Sequence, residues 1–498
     1  MEINQLYASG LALVKARLPF MVIIVGRIGI ALAGVITVKL STVLLKPDQL
    51  GSISQLNSLV NLFNISLVIP VAHFMTRGFL DWYDSNQLST NTKKYLGYVL
   101  VVSVASVLVS GAIQWQWNLV NGFGILSVML LVGLNIIAQP INSFGTTGFN
   151  LFGFRKTNVF FTNLVAWTSL GCSILLFYVY RNTFSWSMGQ VVGFMAGCFS
   201  FFLIWKKISN HSVVELPVHE HAIIFSRKAV FAFSWPFLFT SSLWWIQTQS
   251  YRFILEKIQG LSEVGLFATA YALAAMPIML YESIITQYLE PSFFGELKNQ
   301  GREGQIKAWN KYAYLYLPGI AIAGAYVAAA TPFLAKIFLG KEYRSVAIQV
   351  TCWAAIIETM RAAGAMMFQL GMAKVDNRMT IFPAIAGAIL APLGVIYFGG
   401  MHPIAGTITG LFIAGLIVLL INVFLSYKVL PITWPVKRIV QALLLTMPVT
   451  FGLPVLHYFF PEPNYLVSFL ALSVSALYIA GILAVLLAGQ GKMHSTIS

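Results

Sequence analysis

LLKPDQLG at residues 44–51 and ILEKIQGLSEVG at residues 254–265 decide the fold, because each closes a long apolar run in the same way. In both, an apolar helix end gives way to a lysine, a short polar turn and a glycine, after which a second apolar run begins. A second pair repeats the relation: NLFGFRK at 150–156 and FQLGMAK at 368–374. The step along the chain from Gly51 to Gly265 is nearly the same as that from Gly153 to Gly371. Two matches at nearly one offset, both at equivalent junctions, predict a duplicated chain with two six-helix repeats in the same orientation. Parallel repeats related by an axis along the membrane normal are a known transporter plan, with the site between the halves.

The composition around these links leaves one environment. The chain has 498 residues, 58% of them apolar and only 9% charged, against about 25% charged in soluble domains. Too few charges are present to cover water-facing domains. The length is therefore read as membrane-embedded from end to end. Fourteen segments reach the roughly 20 apolar residues that a spanning helix needs. They lie near 20–45, 51–74, 95–114, 123–147, 158–180, 186–205, 229–254, 262–289, 312–338, 345–370, 379–399, 403–427, 438–460 and 465–488. The longest links, near 75–94, 206–228 and 290–311, run to about 20 residues, and no extramembrane domain fits among them. The expected fold is an all-α integral membrane protein of about 14 transmembrane helices, with helices 1–6 and 7–12 around a central cavity. Residues 1–205 form one lobe, 206–228 a cytoplasmic linker and 229–428 the second lobe. Residues 429–498 add two extra helices and a short tail. The first apolar run lacks the pattern of a cleavable signal. Cys172, Cys198 and Cys352 sit in apolar runs without metal-ligand spacing.

The charges that remain are lopsided: 31 Lys and Arg against 16 Asp and Glu, a formal +15. With both termini placed in the cytoplasm, 21 of the 31 cations fall in inner segments, 8 in outer ones, and Arg27 and Arg361 within helices. That asymmetry is the positive-inside pattern, so most of the basic excess sets orientation and touches anionic headgroups.

Polar side chains inside the spans are the candidate site. The fourth span carries Asn135, Gln139, Asn142, Thr146 and Asn150 at helical spacing, and the second carries Asn57, Asn61 and Asn64. An amide facing lipid leaves its donors and acceptors unsatisfied, so both stripes are expected to face protein or water. A stripe of five is read as the wall of a wet cavity. Pro140 and Pro277 are placed to kink their helices. Charged groups at depth are costly and line a bundle interior or a path. Arg27 has no carboxylate one turn away. Lys39 and Arg252 lie at nearly equivalent places in the two repeats. Glu358 and Arg361, at i, i+3, are expected to form an ion pair, and Glu282 is a further buried acid. Trp244, Trp245 and Trp353 are weighed as sugar-stacking rings, with stacking the minority reading, and most of the other aromatic residues are read as belt or lipid-facing. His211, His219 and His221 cluster in one link, read as solvated. Neither a catalytic constellation nor a Walker-type phosphate loop is found. The reading is thus of a transporter, not an enzyme, with no cofactor and no metal.

YRFILEKIQGLSEVGLFATAYALAAMPIML, Tyr251 to Leu280, resembles the polysaccharide (O-antigen type) lipid-linked oligosaccharide flippase family of the multidrug/oligosaccharidyl-lipid/polysaccharide exporter superfamily. Arg252, Gly265, Phe267 and Tyr271 fit the family pattern, while Tyr251 stands where members often have an acidic residue. LLKPDQLG at 44–51, NLFGFRKTN at 150–158 and FLAKIFLGKEYRSVA at 333–347, with Gly340 and Tyr343, resemble further family stretches. The resemblance implies translocation of undecaprenyl-pyrophosphate-linked oligosaccharide across the bacterial inner membrane by alternating access, with the headgroup in a cationic cavity. Membrane lipids are then partners, as are a glycan polymerase and its chain-length machinery, with no nucleic acid. The expected substrate-binding residues are Arg27, Lys39, Arg252, Asn57, Asn61, Asn64, Asn135, Gln139, Asn142 and Arg361, with Glu282 and Glu358 as ion-coupling candidates. The drug-exporting relatives typically carry a carboxylate in helix 1. Here Arg27 and Lys39 stand in that helix, which favours an anionic substrate over an organic cation. The alternatives are a lipid-linked peptidoglycan-precursor flippase, a drug or cation exporter and, requiring an acid/base-bearing outer loop that is not found, a membrane glycan polymerase.

Overall fold

Pro47 opens a helix because its missing N–H and fixed φ suit the first turn, and Asp48 beside it answers the positive end of the helix. The same economy builds the rest of the chain: apolar runs leave the backbone no partner but itself, so helices form throughout. A computed structural model describes residues 26–209, 225–299, 301–374 and 378–488. Its helices are α1 (Gly26–Leu44), α2 (Pro47–Phe63), α3 (Ile69–Asp84), α4 (Leu88–Trp117), α5 (Ile125–Leu151), α6 (Arg155–Tyr180), α7 (Thr183–Ser209) and α8 (Arg227–Gln249). They continue as α9 (Tyr251–Gln259), α10 (Leu261–Asn299), α11 (Arg302–Phe338), α12 (Arg344–Lys374), α13 (Arg378–Met401), α14 (Pro403–Val429), α15 (Val436–Phe459) and α16 (Tyr465–Ala488).

Each of the fourteen expected segments holds a long helix among its described residues, with α2–α3 and α8–α9 each serving as one span. Among the described residues, thirteen spans are long and apolar enough to cross a membrane. The remaining one, α12, is 31 residues long and carries Glu358 and Arg361. The expected long links near 75–94 and 290–311 are corrected: α3 and α4 leave only residues 85–87 between them, and α10 runs to Asn299. Charged and straight-chain residues such as Glu296, Gln305 and Lys307 favour helix as readily as apolar ones do. At 1.5 Å per residue the 39 residues of α10 extend about 58 Å, well beyond a hydrocarbon core of about 30 Å.

The described residues divide into two compact units. One takes α1 up to Thr37 and Gln55–Ser242; the other takes Val38–Ser54 and the chain from Leu243. In the first unit, Phe79 and Tyr95 sit against Phe144 with ring centroids 4.7 and 4.8 Å away, and Phe201 lies 5.1 Å from Trp205. These rings are wholly or almost wholly buried. Between α2 and α3 one turn, Asn64–Val68, is a π-helix, and Tyr98 of α4 donates to the Leu67 carbonyl at 2.7 Å. In the second unit, α15 and α16 lie against α11, where Ile322, Ala442, Ile479 and Ile482 form a small core.

The duplication read from the links is present as a contact in the second unit. A Cβ on Gly51 would run into the Leu261 carbonyl oxygen, and a Cβ on Gly265 into that of Pro47. Pro47 and Leu261 are separated along the chain by the same step as the two glycines. So α2 and α10 cross by exchanging equivalent residues, as a self-complementary contact requires. A further repeat went unread in the sequence. Gly189, Gly193 and Gly197 of α7 face Ser173, Ser169 and Val165 of α6. At close to the same offset further along the chain, Gly406 and Gly410 of α14 face Phe398 and Gly394 of α13. Each stripe is a small-xxx-small pattern that lets two helix backbones approach. Gly153 ends α5 at φ +76° as expected of a turn glycine, whereas its counterpart Gly371 lies inside α12.

Substituting Gly265→Val should destabilise the protein by at least the 1–3 kcal/mol typical of overpacking, because backbone rather than a flexible side chain stands in the way. Gly171→Ala, with nothing near the added carbon, should leave stability unchanged or raised. Thermal unfolding of the two purified variants in detergent checks the contrast, and equal melting temperatures would rule out the tight crossing.

Candidate functional site: intramembrane charges and amides

Arg27 lies in the first turn of α1 that the structure describes. That stretch of α1 is held on α6, where Asn163 donates to the Gly26 carbonyl at 3.1 Å and Gly29 leaves room for the Asn163 side chain. The Arg27 guanidinium is half-buried and makes neither an ion pair nor a hydrogen bond with any described residue. Among the described residues nothing compensates this cation in a membrane-spanning helix.

The amide stripes of the same unit separate into two kinds. Asn64 of the π turn donates to Gln139 at 3.2 Å, Gln139 donates to Asn135 at 2.9 Å, and Asn135 donates to the Leu131 carbonyl at 2.8 Å. Asn142 donates to the Phe194 carbonyl of α7 at 3.0 Å. Asn135 and Asn142 are 6% and 8% exposed. This corrects the reading of the α5 stripe as one continuous wet wall. Helical spacing aligns the five residues, but Asn135 and Asn142 are turned into the packed interior, where they bond α5 to itself and to α7. Gln139 and Thr146 are half-buried, while Asn150 is exposed and bonds Asn158 at 2.7 Å. Asn57 is exposed and Asn61 half-buried, and neither bonds another described residue. Toward the described residues these two amides keep their donors and acceptors free.

In the second unit the deep charges converge. Arg361 donates through Nε to Glu358 at 2.6 Å and through Nη2 to Glu282 of α10 at 2.7 Å. Tyr271 of α10 donates to the other Glu358 oxygen at 2.8 Å. The Glu358–Arg361 pair is the one that i, i+3 spacing predicted. Glu282 joins it from a distant part of the chain, which only the packing of α10 on α12 brings about. One guanidinium between two carboxylates leaves the group with a net negative charge. Arg361, expected as a substrate contact, turns Nε and Nη2 to these acids, because a buried cation is stable only when paired. Tyr251 is buried, lies near Phe267 and Tyr271 at 5.2 and 6.1 Å, and its hydroxyl bonds no described residue. Tyr271 thus stands between the Tyr251 ring and the Glu358 carboxylate of α12.

Lys39 and Arg252, near-equivalent in sequence, have different surroundings. Lys39 donates to the Leu339 carbonyl at 2.8 Å. Arg252 lies over the Tyr251 ring at 4.9 Å and donates to Gln249. Residues of the Gly-x-x-Tyr stretch fasten α1 to the turn before α12. The Gly340 N–H donates to the Thr42 hydroxyl at 2.9 Å, and the Tyr343 hydroxyl to the Leu45 carbonyl at 3.0 Å. Burial pushes the Tyr343 phenol above its ordinary pKa, so it remains a donor. Trp353 is half-exposed and meets Phe412 edge-on at 5.7 Å. No group of three metal-binding side chains occurs among the described residues; His211, His219 and His221 lie outside them.

Spans in this number, two glycine-striped repeats and charges held between helices define a multi-pass membrane protein. The fold is similar to that of the lipid II flippase MurJ in an inward closed conformation, with a TM-score of 0.63, 14% identity, and coverage of 97% of this chain and 100% of that one. An inward-facing multidrug resistance MATE family transporter of the MOP superfamily is also similar, at a TM-score of 0.62 and 12% identity over 81% of this chain and 95% of that one. An outward-facing MATE family transporter matches at 0.55 and 12%, over 86% and 96%. No curated protein matches by sequence. The profile of the polysaccharide biosynthesis protein family matches residues 42–348, more than half of the chain, and the chain belongs to that family.

The triad gives a sharp energetic expectation. Arg361→Met leaves two carboxylates facing each other and should cost on the order of 3–5 kcal/mol, reduced somewhat by the partial exposure of the guanidinium. Glu282→Gln should cost less, and the triple variant with Glu282→Gln, Arg361→Met and Glu358→Gln should recover most of the loss. Unfolding midpoints of the set test this, and a triple variant as unstable as the sum of its singles would refute a shared triad.

Proposed function

We propose that this protein is a flippase that carries undecaprenyl-pyrophosphate-linked oligosaccharide repeat units from the inner to the outer leaflet of the bacterial inner membrane by alternating access. The observation that carries the reading is Arg27, a cation in a spanning helix that no described residue neutralises. Membership of a polysaccharide biosynthesis family supports a glycan cargo. A pyrophosphate supplies the charge that such a cation lacks, and at about 4 Å with an effective dielectric near 20 the attraction is on the order of 4 kcal/mol. The free amides of Asn57 and Asn61 suit the hydroxyls of a sugar, and the polyprenyl tail stays in lipid. Glu282 and Glu358, sharing one arginine, are the carboxylates proposed to couple transport to an ion, since protonation or cation binding there relieves their excess charge. The distribution of lysine and arginine supports cytoplasmic termini. No bond is made or broken in this mechanism.

In a strain lacking its own flippase and complemented with this gene, Arg27→Ala should lower surface glycan at least tenfold at unchanged protein level, with lipid-linked units accumulating on the cytoplasmic side. Arg27→Lys should retain a substantial share. Normal output from the alanine variant removes the role of Arg27, and complementation of a peptidoglycan-precursor flippase defect in its place would replace the cargo.

A further inference from the structure

Three cations meet at one end of the second unit, and the duplication does not account for them. Lys39 lies toward the end of α1, Lys336 in the last turn of α11, and Arg344 opens α12. Their charged ends stand 5.4, 5.4 and 5.9 Å from the centroid of one ring, that of Tyr465 at the start of α16. Arg344 also donates to the Tyr465 hydroxyl at 3.0 Å. Lys39 and Arg344 share one acceptor, the Leu339 carbonyl at the C-terminal end of α11, at 2.8 Å and 3.3–3.4 Å.

Capping the α11 terminus explains part of this arrangement, since cations favour a helix C-terminus. It does not explain three. One carbonyl and one phenol accept from Lys39 and Arg344, while Lys336 makes no hydrogen bond with any described residue. None of the three pairs with a described carboxylate, although Glu342 and Glu462 are near in sequence. Glu342 and Glu462 are instead exposed. Like charges held this close are destabilising until an anion joins them, and Tyr465, 54% exposed, leaves the cluster open to one. The span ends gathered here, those of α1, α11, α12 and α16, put the cluster at the level of a membrane surface rather than in its core.

We propose that Lys39, Lys336 and Arg344, gathered on Tyr465, form a docking site for the phosphate or pyrophosphate group of a membrane-anchored lipid. Tyr465 acts as the platform: its ring face attracts the two ammonium groups and its hydroxyl orients the guanidinium. Arg344 presents a planar fork suited to two phosphate oxygens, and Lys336 contributes an ammonium that donates to no described residue. The proposal concerns the headgroup chemistry and stands apart from the cargo assigned above, because a bilayer phospholipid and a polyprenyl pyrophosphate offer the same group.

The full-length protein in phosphatidylcholine nanodiscs distinguishes the two sources. One series adds phosphatidylglycerol, the other undecaprenyl pyrophosphate, and bound lipid is counted by native mass spectrometry. The Lys336→Gln and Arg344→Gln double variant should bind at least one of them tenfold or more weakly than the unsubstituted protein. Loss confined to phosphatidylglycerol assigns a structural lipid site, and loss confined to the pyrophosphate assigns a cargo contact. Lys336→Gln alone removes no hydrogen bond, so it should keep the melting temperature while weakening binding several-fold, and Lys336→Arg should restore it. Undiminished binding of both lipids by the single and double variants would overturn the proposal.

Discussion

The close approach of α2 to α10 at Gly51 and Gly265 is the constraint on which the second unit is built. Each glycine takes the place where its counterpart's helix presents a carbonyl oxygen, Leu261 against Gly51 and Pro47 against Gly265. A side chain on either would hold the backbones apart. From that crossing α1 is held by hydrogen bonds to residues 339–343, and α10 runs on to carry Tyr271 and Glu282 to α12. Fixing two helix N-termini against each other thus fixes the register of every charged group further along them.

With the backbone settled, the membrane sorts the charges by whether the fold can answer them. Arg361 is answered twice, by Glu282 and Glu358. Arg252 is answered by a glutamine and an aromatic face. Arg27 is answered by no described residue. In a medium where a lone ion is costly, the ordering from satisfied to unsatisfied separates groups that hold helices together from groups available to a ligand. The net charge of the chain carries none of this information, because most of it resides in the links.

Helix number, the duplication and the Glu358–Arg361 pair were legible in the sequence, since each depends on spacing along one segment or on punctuation at a fixed offset. Glu282 was visible as a buried acid, but its partner was not: residues so far apart along the chain are brought together only by helix packing. The α5 stripe shows the converse. Periodicity put Asn135, Gln139 and Asn142 on one face, yet it could not say which part of that face α7 covers. Lys336 and Arg344 escaped notice because each looked like an ordinary interfacial cation, and only the ring of Tyr465, far along the chain, makes them one group. The glycine stripe of α7 and its copy in α14 was the signal available and unused.

The π turn at Asn64–Val68 makes the length of its span as fixed as its composition. An extra residue in one helical turn advances the helix by roughly 100° relative to an unbroken α-helix, and α3 is buried in the phase that follows: Met75 and Phe79 are fully enclosed and Trp82 nearly so. Removing any one residue between 64 and 68 would restore an ordinary helix and swing that aromatic face away from Phe144 and toward lipid. The segment is therefore open to exchange of side chains but closed to insertion or deletion, and a one-residue gap there in a related chain marks a repacked α3.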